Sequence, residues 1–256
     1  MTGRNIVPAE RIAEFVDDIL VIEHRHVKAA FALPLFANGK PTLLFQSSRG
    51  TINNSSNYLT LFGQTLLPTE ITFSEDYVLI AYFFKPFALT ALFGFTAREL
   101  TDNPVSLNLI QNQQAGELQE RLLNAASVTD MLSILDDFVY SLITRVKTDK
   151  QRIEYATRLI ADKPTKQILA TVQDKLAMTE RTFQRLFEQH VGISPNQYRR
   201  VAQFNAAFQQ LNRRQFNNIM NVAFTHDYAD QSHFIRTFRE FTNMTPKEYL
   251  SLGTRP

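Results

Sequence analysis

The chain has 256 residues, enough for two domains of ordinary size. Hydrophobic residues make up 44% of it, with 21 Phe and no Trp, a composition that builds cores and argues against disorder. There is no cysteine, which excludes disulfides, thiolate zinc sites, thiol nucleophiles and cysteine alkyl acceptors together. The opening MTGRNIVPAERIAEF has no apolar run of the signal-peptide kind, and no stretch reaches the roughly 18 apolar residues of a membrane span. A soluble, cytoplasmic protein without membrane association is expected. The formal charge of +2 hides a division. Residues 1–150 carry 12 Lys and Arg against 16 Asp and Glu, whereas residues 151–256 carry 15 against 9, and 11 of those 15 are arginine. Arginine's planar fork suits bidentate contacts to phosphate and to guanine edges.

Along the chain, Ile12, Phe15, Val16 and Ile19 recur at helical spacing. Short runs rich in aromatic and β-branched residues then predict strands at Val27–Leu35, Thr42–Gln46, Tyr58–Leu61 and Tyr77–Phe84. Turn-forming stretches at Ala37–Pro41 and Ser47–Asn57 separate them. Pro86–Phe93 reads as a short helix opened by proline at its first position. From Gln113 the pattern becomes helical. Ser127 is placed as the N-cap of a helix whose stripe is Met131, Leu132, Leu135, Phe138, Val139, Leu142 and Ile143. Thr148-Asp149 is suited to cap a further helix, Lys150 to Ala161. The expected organisation is an α+β sheet domain over residues 1–147, ending in helices, followed by an all-α domain over residues 148–256.

The all-α part contains an internal repeat. Phe183-Gln184-Arg185-Leu186-Phe187 is echoed by Phe234-Ile235-Arg236-Thr237-Phe238, and Gly192-Ile193-Ser194-Pro195-Asn196-Gln197-Tyr198 by Asn243-Met244-Thr245-Pro246-Lys247-Glu248-Tyr249, both at an offset of 51. Phenylalanines at i and i+4 put two rings on one side of a helix and the intervening arginine on another. Ser194 and Thr245 read as N-caps followed by proline, with Gln197 and Glu248 closing capping boxes. Gly192 and Asn243 stand where the preceding helix must stop, and both tolerate a left-handed cap. Short amphipathic segments, Thr165–Leu176 and Gln215–Phe224, precede the two arginine-bearing helices, whose N-caps are Thr179 and Asp230. Each half is thus a helix-turn-helix unit, and a long helix from Pro195 to about Asn212 joins the two.

TERTFQRLFEQHVGISPNQYRR followed by DYADQSHFIRTFREFTNMTPKEYL resembles the AraC/XylS-type regulators over about a hundred residues. The first unit departs in having Gln173 for the usual small Ala and Ala177 for the turn Gly. The second has Asp227 at its turn Gly and Asn243 at a later one. The resemblance implies a sequence-specific transcription regulator in which Arg181, Gln184 and Arg185 read bases from the first unit, and Gln231, Ser232, His233 and Arg236 from the second. Arg199, Arg200, Arg213 and Arg214 are assigned to phosphates, and the four phenylalanines to core. Double-stranded DNA is the implied partner; RNA polymerase, an unidentified small-molecule effector and a second copy of the chain are compatible further ones.

In the front domain, His24-Arg25-His26 resembles the HxH of cupin metal sites. Lys28–Leu35 contains no Glu, however, and the remaining histidines all lie beyond residue 189, so no metal is expected. No nucleophile, phosphate loop or paired-carboxylate motif is present, so neither catalysis nor a cofactor is expected. LPLFANGKPTLLFQ and YFFKPFALTALFGFTARELTDN resemble the uncharacterised sensor-like domains that precede this DNA-binding module, which implies effector sensing or self-association. The alternative is an enzyme or ligand carrier fused to a DNA-binding tail.

Overall fold

The structure is a computed structural model that describes residues 1–52, 55–146 and 150–252. The front domain is built on a six-stranded antiparallel sheet, in which β1 (Thr2–Ile6), β2 (Val16–His24), β4 (Thr42–Gln46), β7 (Leu59–Phe62), β9 (Tyr77–Phe84) and β10 (Val105–Ser106) lie in the order β1-β2-β9-β4-β7-β10. A second sheet holds β3 (Phe31–Leu35), β5 (Thr51–Ile52), β6 (Ser55–Ser56) and β8 (Thr69–Phe73), in the order β3-β8-β5-β6.

The central strands are buried on both faces. Val21, Leu43, Phe45, Ile80 and Tyr82 point into one core shared with helices, while Ile22, Leu44, Leu79 and Ala81 point into another shared with Ile71 and Phe73 of the small sheet. Strands covered on both sides read as continuous apolar runs, which is why Thr42–Gln46 and Tyr77–Phe84 coincide with their predicted limits. The helical spacing of residues 12–19 has another origin. Ile12, Phe15, Val16 and Ile19 are all buried, but Ala9 to Val16 forms consecutive turns (Ile12 N donates to Ala9 O at 2.9 Å and Phe15 N to Ile12 O at 3.0 Å), and Ile19 already belongs to β2. A turn followed by strand alternation imitates a 3.6-residue period over so short a span. Only Phe31–Leu35 of the predicted Val27–Leu35 is strand, and its Pro34 is tolerated because β3 is an edge.

Helices α1 (Ala88–Phe93), α2 (Leu107–Ile110), α3 (Asn112–Leu123) and α4 (Val128–Ile143) cover the larger sheet. Pro86 lies just outside α1, whose N-cap is Phe87. Ser127 caps α4, its side chain accepting from Asp130 N at 3.2 Å. The hydroxyl of buried Tyr82 donates to Asp136 at 2.6 Å, tying sheet to helix, and burial pushes its pKa up.

The remaining helices are α5 (Gln151–Asp162), α6 (Ile168–Lys175), α7 (Glu180–His190), α8 (Pro195–Asn212), α9 (Ile219–Thr225), α10 (Gln231–Thr242) and α11 (Pro246–Ser251). The expected caps Thr148 and Asp149, and the expected boundary between residues 147 and 148, lie outside the described residues. No described helix is long and apolar enough to cross a membrane.

The two halves share one core. Phe183, Phe187, Val191, Ile193 and Tyr198 belong to the same buried cluster as Phe87, Leu92, Ala97 and Leu100 of the front domain. Lys150 crosses the seam, its ammonium 3.7 Å above the Phe15 ring and paired with Glu14. At the closest point Gly192 has φ +93° and lies so near the Ala97–Leu100 turn that a Cβ would come within 2.7 Å of the Ala97 carbonyl, while its own carbonyl accepts from Thr101 Oγ1 at 3.0 Å.

Gly192→Ala is therefore expected to destabilise the chain by about 2–4 kcal/mol, from backbone strain and overpacking together. Ala177 also has a positive φ, of 49°, and Ala177→Gly should stabilise by up to about 1 kcal/mol. Thermal denaturation of the two variants should move the melting temperature in opposite directions. A Gly192→Ala chain as stable as wild type would contradict the close approach.

Candidate nucleic-acid interface

In the first unit α6 leads through a turn into α7; in the second, α9 leads into α10. The turns open on Ala177 and Asp227, both left-handed at φ 49° and 59°, where the preceding helix is closed by Met178 N donating to Gln173 O and Tyr228 N donating to Ala223 O, each at 3.0 Å. Thr179 caps α7 by accepting from Thr182 N at 3.3 Å, and Asp230 caps α10 by accepting from His233 N at 2.7 Å. The second turn is one residue longer, with Tyr228 and Ala229 standing between Asp227 and the cap where the first has Met178 alone. Both capping boxes after the arginine-bearing helices are closed: Ser194 with Gln197, and Thr245 with Glu248, whose carboxyl is held below its usual range by hydrogen bonds from Thr245.

The caps and turns divide each arginine-bearing helix into two faces. Phe183 and Phe187 are fully buried with ring centroids 5.0 Å apart, and Phe234 and Phe238 repeat this at 5.8 Å. Arg181, Gln184 and Arg185, spaced i, i+3, i+4, are exposed on the opposite side of α7. Among the described residues no carboxylate pairs with either arginine, and Gln184 donates to Glu188 at 3.0 Å. On α10, Ser232 and Arg236 are exposed, whereas Gln231 and His233 are half-buried. His233 is partly absorbed by its own turn, edge-on to Tyr228 at 5.3 Å. Arg239, three residues beyond Arg236 and exposed on the same row, was not selected from the sequence. Its helical spacing from Ser232 and Arg236 is the signal that marks it, since the repeat places Glu188 at the corresponding position.

The four arginines assigned to phosphates separate into two pairs. Arg213 and Arg214 are exposed at the end of α8. Arg199 is only 8% exposed and donates to Pro164 O at 3.2 Å and to Gln203 Oε1 at 3.1 Å. Arg200 is paired with Glu240 of α10 at 2.5 Å and lies 5.7 Å from the Phe241 ring. Their i, i+1 position on α8 looked solvent-facing because the partner helices are distant in sequence. In the front domain, His24 sits edge-on between Phe31 and Tyr77 at 5.9 and 5.7 Å. No cluster of three potential metal ligands is found among the described residues.

Residues 172–251 match a family described as a helix-turn-helix domain, and residues 4–106 match a domain of unknown function (DUF6597). The chain is 30% identical over 77 residues to the HTH-type transcriptional activator RhaS of Escherichia fergusonii, a match that covers 30% of this chain and 27% of that protein. Two crystal structures of ToxT from Vibrio cholerae share the whole architecture. One has a TM-score of 0.51 and 13% identity over 92% of this chain and 97% of that one; the other has a TM-score of 0.53 and 13% identity over the full length of both. The resemblance to AraC/XylS-type regulators is carried by residues 172–251. The chain shares with the ToxT structures an antiparallel sheet domain followed by paired helix-turn-helix units. Its departures from the usual AraC/XylS-type turn glycines are accommodated, since Ala177, Asp227 and Asn243 all adopt the left-handed backbone that glycine would.

Proposed function

We propose that the chain is a sequence-specific DNA-binding transcription regulator that places α7 and α10 in successive major grooves. The observation that carries this reading is the double segregation of each helix, with phenylalanines in the core and unpaired arginines facing outwards, repeated on the two ends of one continuous helix. Arg185 and Arg236 are assigned to guanine edges. Arg181, Gln184, Gln231, Ser232 and His233 are assigned to flanking bases, and Arg213, Arg214 and Arg239 to phosphates. Binding selected from random DNA should yield two half-motifs. Arg185→Ala should leave the melting temperature nearly unchanged, cost about 1–3 kcal/mol at the selected site and relax one or two base pairs of the first half-motif. Arg236→Ala should do the same in the second. Phe183→Ala should instead cost about 3–5 kcal/mol of stability. If both arginine variants weaken every sequence equally, these side chains hold only the backbone.

The front domain is read as the regulatory half. A cleft of about 450 Å³ lies between it and the helical half, walled by Asp17, Lys40 and Lys85 on one side and by Arg158, Tyr198 and Asn205 on the other. One ToxT structure contains (E)-4-(8-methylnaphthalen-1-yl)but-3-enoic acid. Lys40 is paired with Asp17 at 3.5 Å and Lys85 with Glu154 at 3.8 Å, and Asp162 also lines the cleft, so Arg158 is the cation there without an ion pair among the described residues. A small organic acid held by Arg158, with Lys85 exchanging Glu154 for it, is the effector class proposed for the present chain. In a melting-temperature screen of the full chain against carboxylic acids, a stabilising acid should lose its effect in Lys85→Ala and Arg158→Ala. An undiminished shift in both variants would place the effector elsewhere.

A further inference from the structure

On α8, Arg199, Gln203 and Gln210 follow one another at i, i+4 and i+11; Arg199 reaches towards the first unit, and Gln203 and Gln210 both reach His226 in the second. Arg199 Nη1 donates to the carbonyl of Pro164, in the loop that leads from α5 into the first helix-turn-helix unit, and to Gln203 Oε1. The guanidinium also faces Asn196 Oδ1 at 3.4 Å. Gln203, 4% exposed, turns its amide nitrogen the other way and donates to the carbonyls of His226 at 2.8 Å and Asp227 at 3.1 Å, the two residues that form the turn of the second unit. Gln210 Oε1 contacts the His226 ring at 2.8 Å from farther along the helix. An unbroken chain of hydrogen bonds thus runs from the approach to the first unit, through two buried side chains of the connecting helix, to the turn that aims the second recognition helix.

A pair of buried polar side chains is a costly way to join elements that apolar contacts already hold, but its directional bonds fix rotation in a way that packed methyl groups do not. The phenylalanines around α8 (Phe204 with Phe238 at 5.6 Å and with Phe241 at 5.0 Å) supply cohesion and tolerate small slides. The amide of Gln203 reaches two successive carbonyls of one turn and does not tolerate them. We infer that Arg199 and Gln203 are positioning residues that set the orientation of the second recognition helix relative to the first, and so decide which spacing between two half-sites the protein accepts. This rests on the DNA-binding reading above. The two residues touch no base: they act through the turn, and the quantity they control is geometric.

The test uses the full chain and selection from random DNA, scoring the two half-motifs and the distance between them separately. Gln203→Met keeps the volume and removes both bonds to the turn, whereas Arg199→Lys keeps the charge but has no fork to span Pro164 and Gln203. Wild type should select two half-motifs at one spacing. Both variants should select the same half-motifs with spacings spread over neighbouring values, and lose roughly ten- to hundredfold in affinity at the wild-type spacing. Their affinity for DNA carrying only the first half-motif should be unchanged. The double variant Arg199→Met with Gln203→Met, which removes the polar chain and leaves no unpaired buried charge, should fold even if Arg199→Lys does not, and should show the same spread of spacings. A single unbroadened spacing in every folded variant overturns the inference, as does altered base preference within a half-motif. A wild-type chain that selects no motif overturns the DNA-binding reading instead.

Discussion

The DNA-facing half depends on one constraint: the two units must be carried by a connecting segment that neither bends nor rotates. Helix α8 has 18 residues, roughly 27 Å of rise, and opens on a closed capping box with proline at its first position. Its inner face, Val201, Phe204, Ala207 and Leu211, forms the floor of the second unit's core, and its first turn, through Tyr198, belongs to the first unit's core. A helix buried at both ends in different cores transmits orientation from one to the other. The exposed arginines at either end acquire meaning only through that coupling, because two independent helix-turn-helix units on a loose tether would read two short motifs at any distance.

The front domain adds a second restraint to the same frame. It touches the first unit where α7 ends, with Thr90 donating to Gln189 O at 2.9 Å and Thr101 to Gly192 O at 3.0 Å. It touches the second through Phe36, which meets Phe208 and Tyr249 at 5.6 and 6.1 Å. The sheet domain is therefore fastened to both recognition modules at points away from their outward faces. A change within it has mechanical routes to either unit, and the cleft against α5 and α8 lies beside those routes.

How much could be read from the residues alone follows from how local each interaction is. Caps, turns and the Phe-x-x-x-Phe pairs are settled within a few residues, so the repeat, its N-caps and the left-handed positions were legible, down to Ala177, Asp227 and Asn243. Strands buried on both faces announced themselves for the same reason, whereas β1, exposed along most of its length at the sheet edge, carried no apolar signal. The roles of Arg199 and Arg200 were not legible. Neighbours at Pro164, Gln203, Glu240 and Phe241 make them structural, and nothing in a run of two arginines distinguishes a buried joint from a phosphate clamp. The extra residue in the second turn was hidden too, because the repeat keeps its register only from the caps onward.

The central claim is that one chain presents two recognition helices at a fixed separation to one face of the duplex. Methylation interference at guanine N7, on a selected site bound by a single copy of the full chain, tests it most directly. The account predicts two clusters of interference in the major groove, about 10 base pairs apart from centre to centre and on the same face. A single cluster, or two clusters whose separation varies from one bound sequence to another, would contradict it.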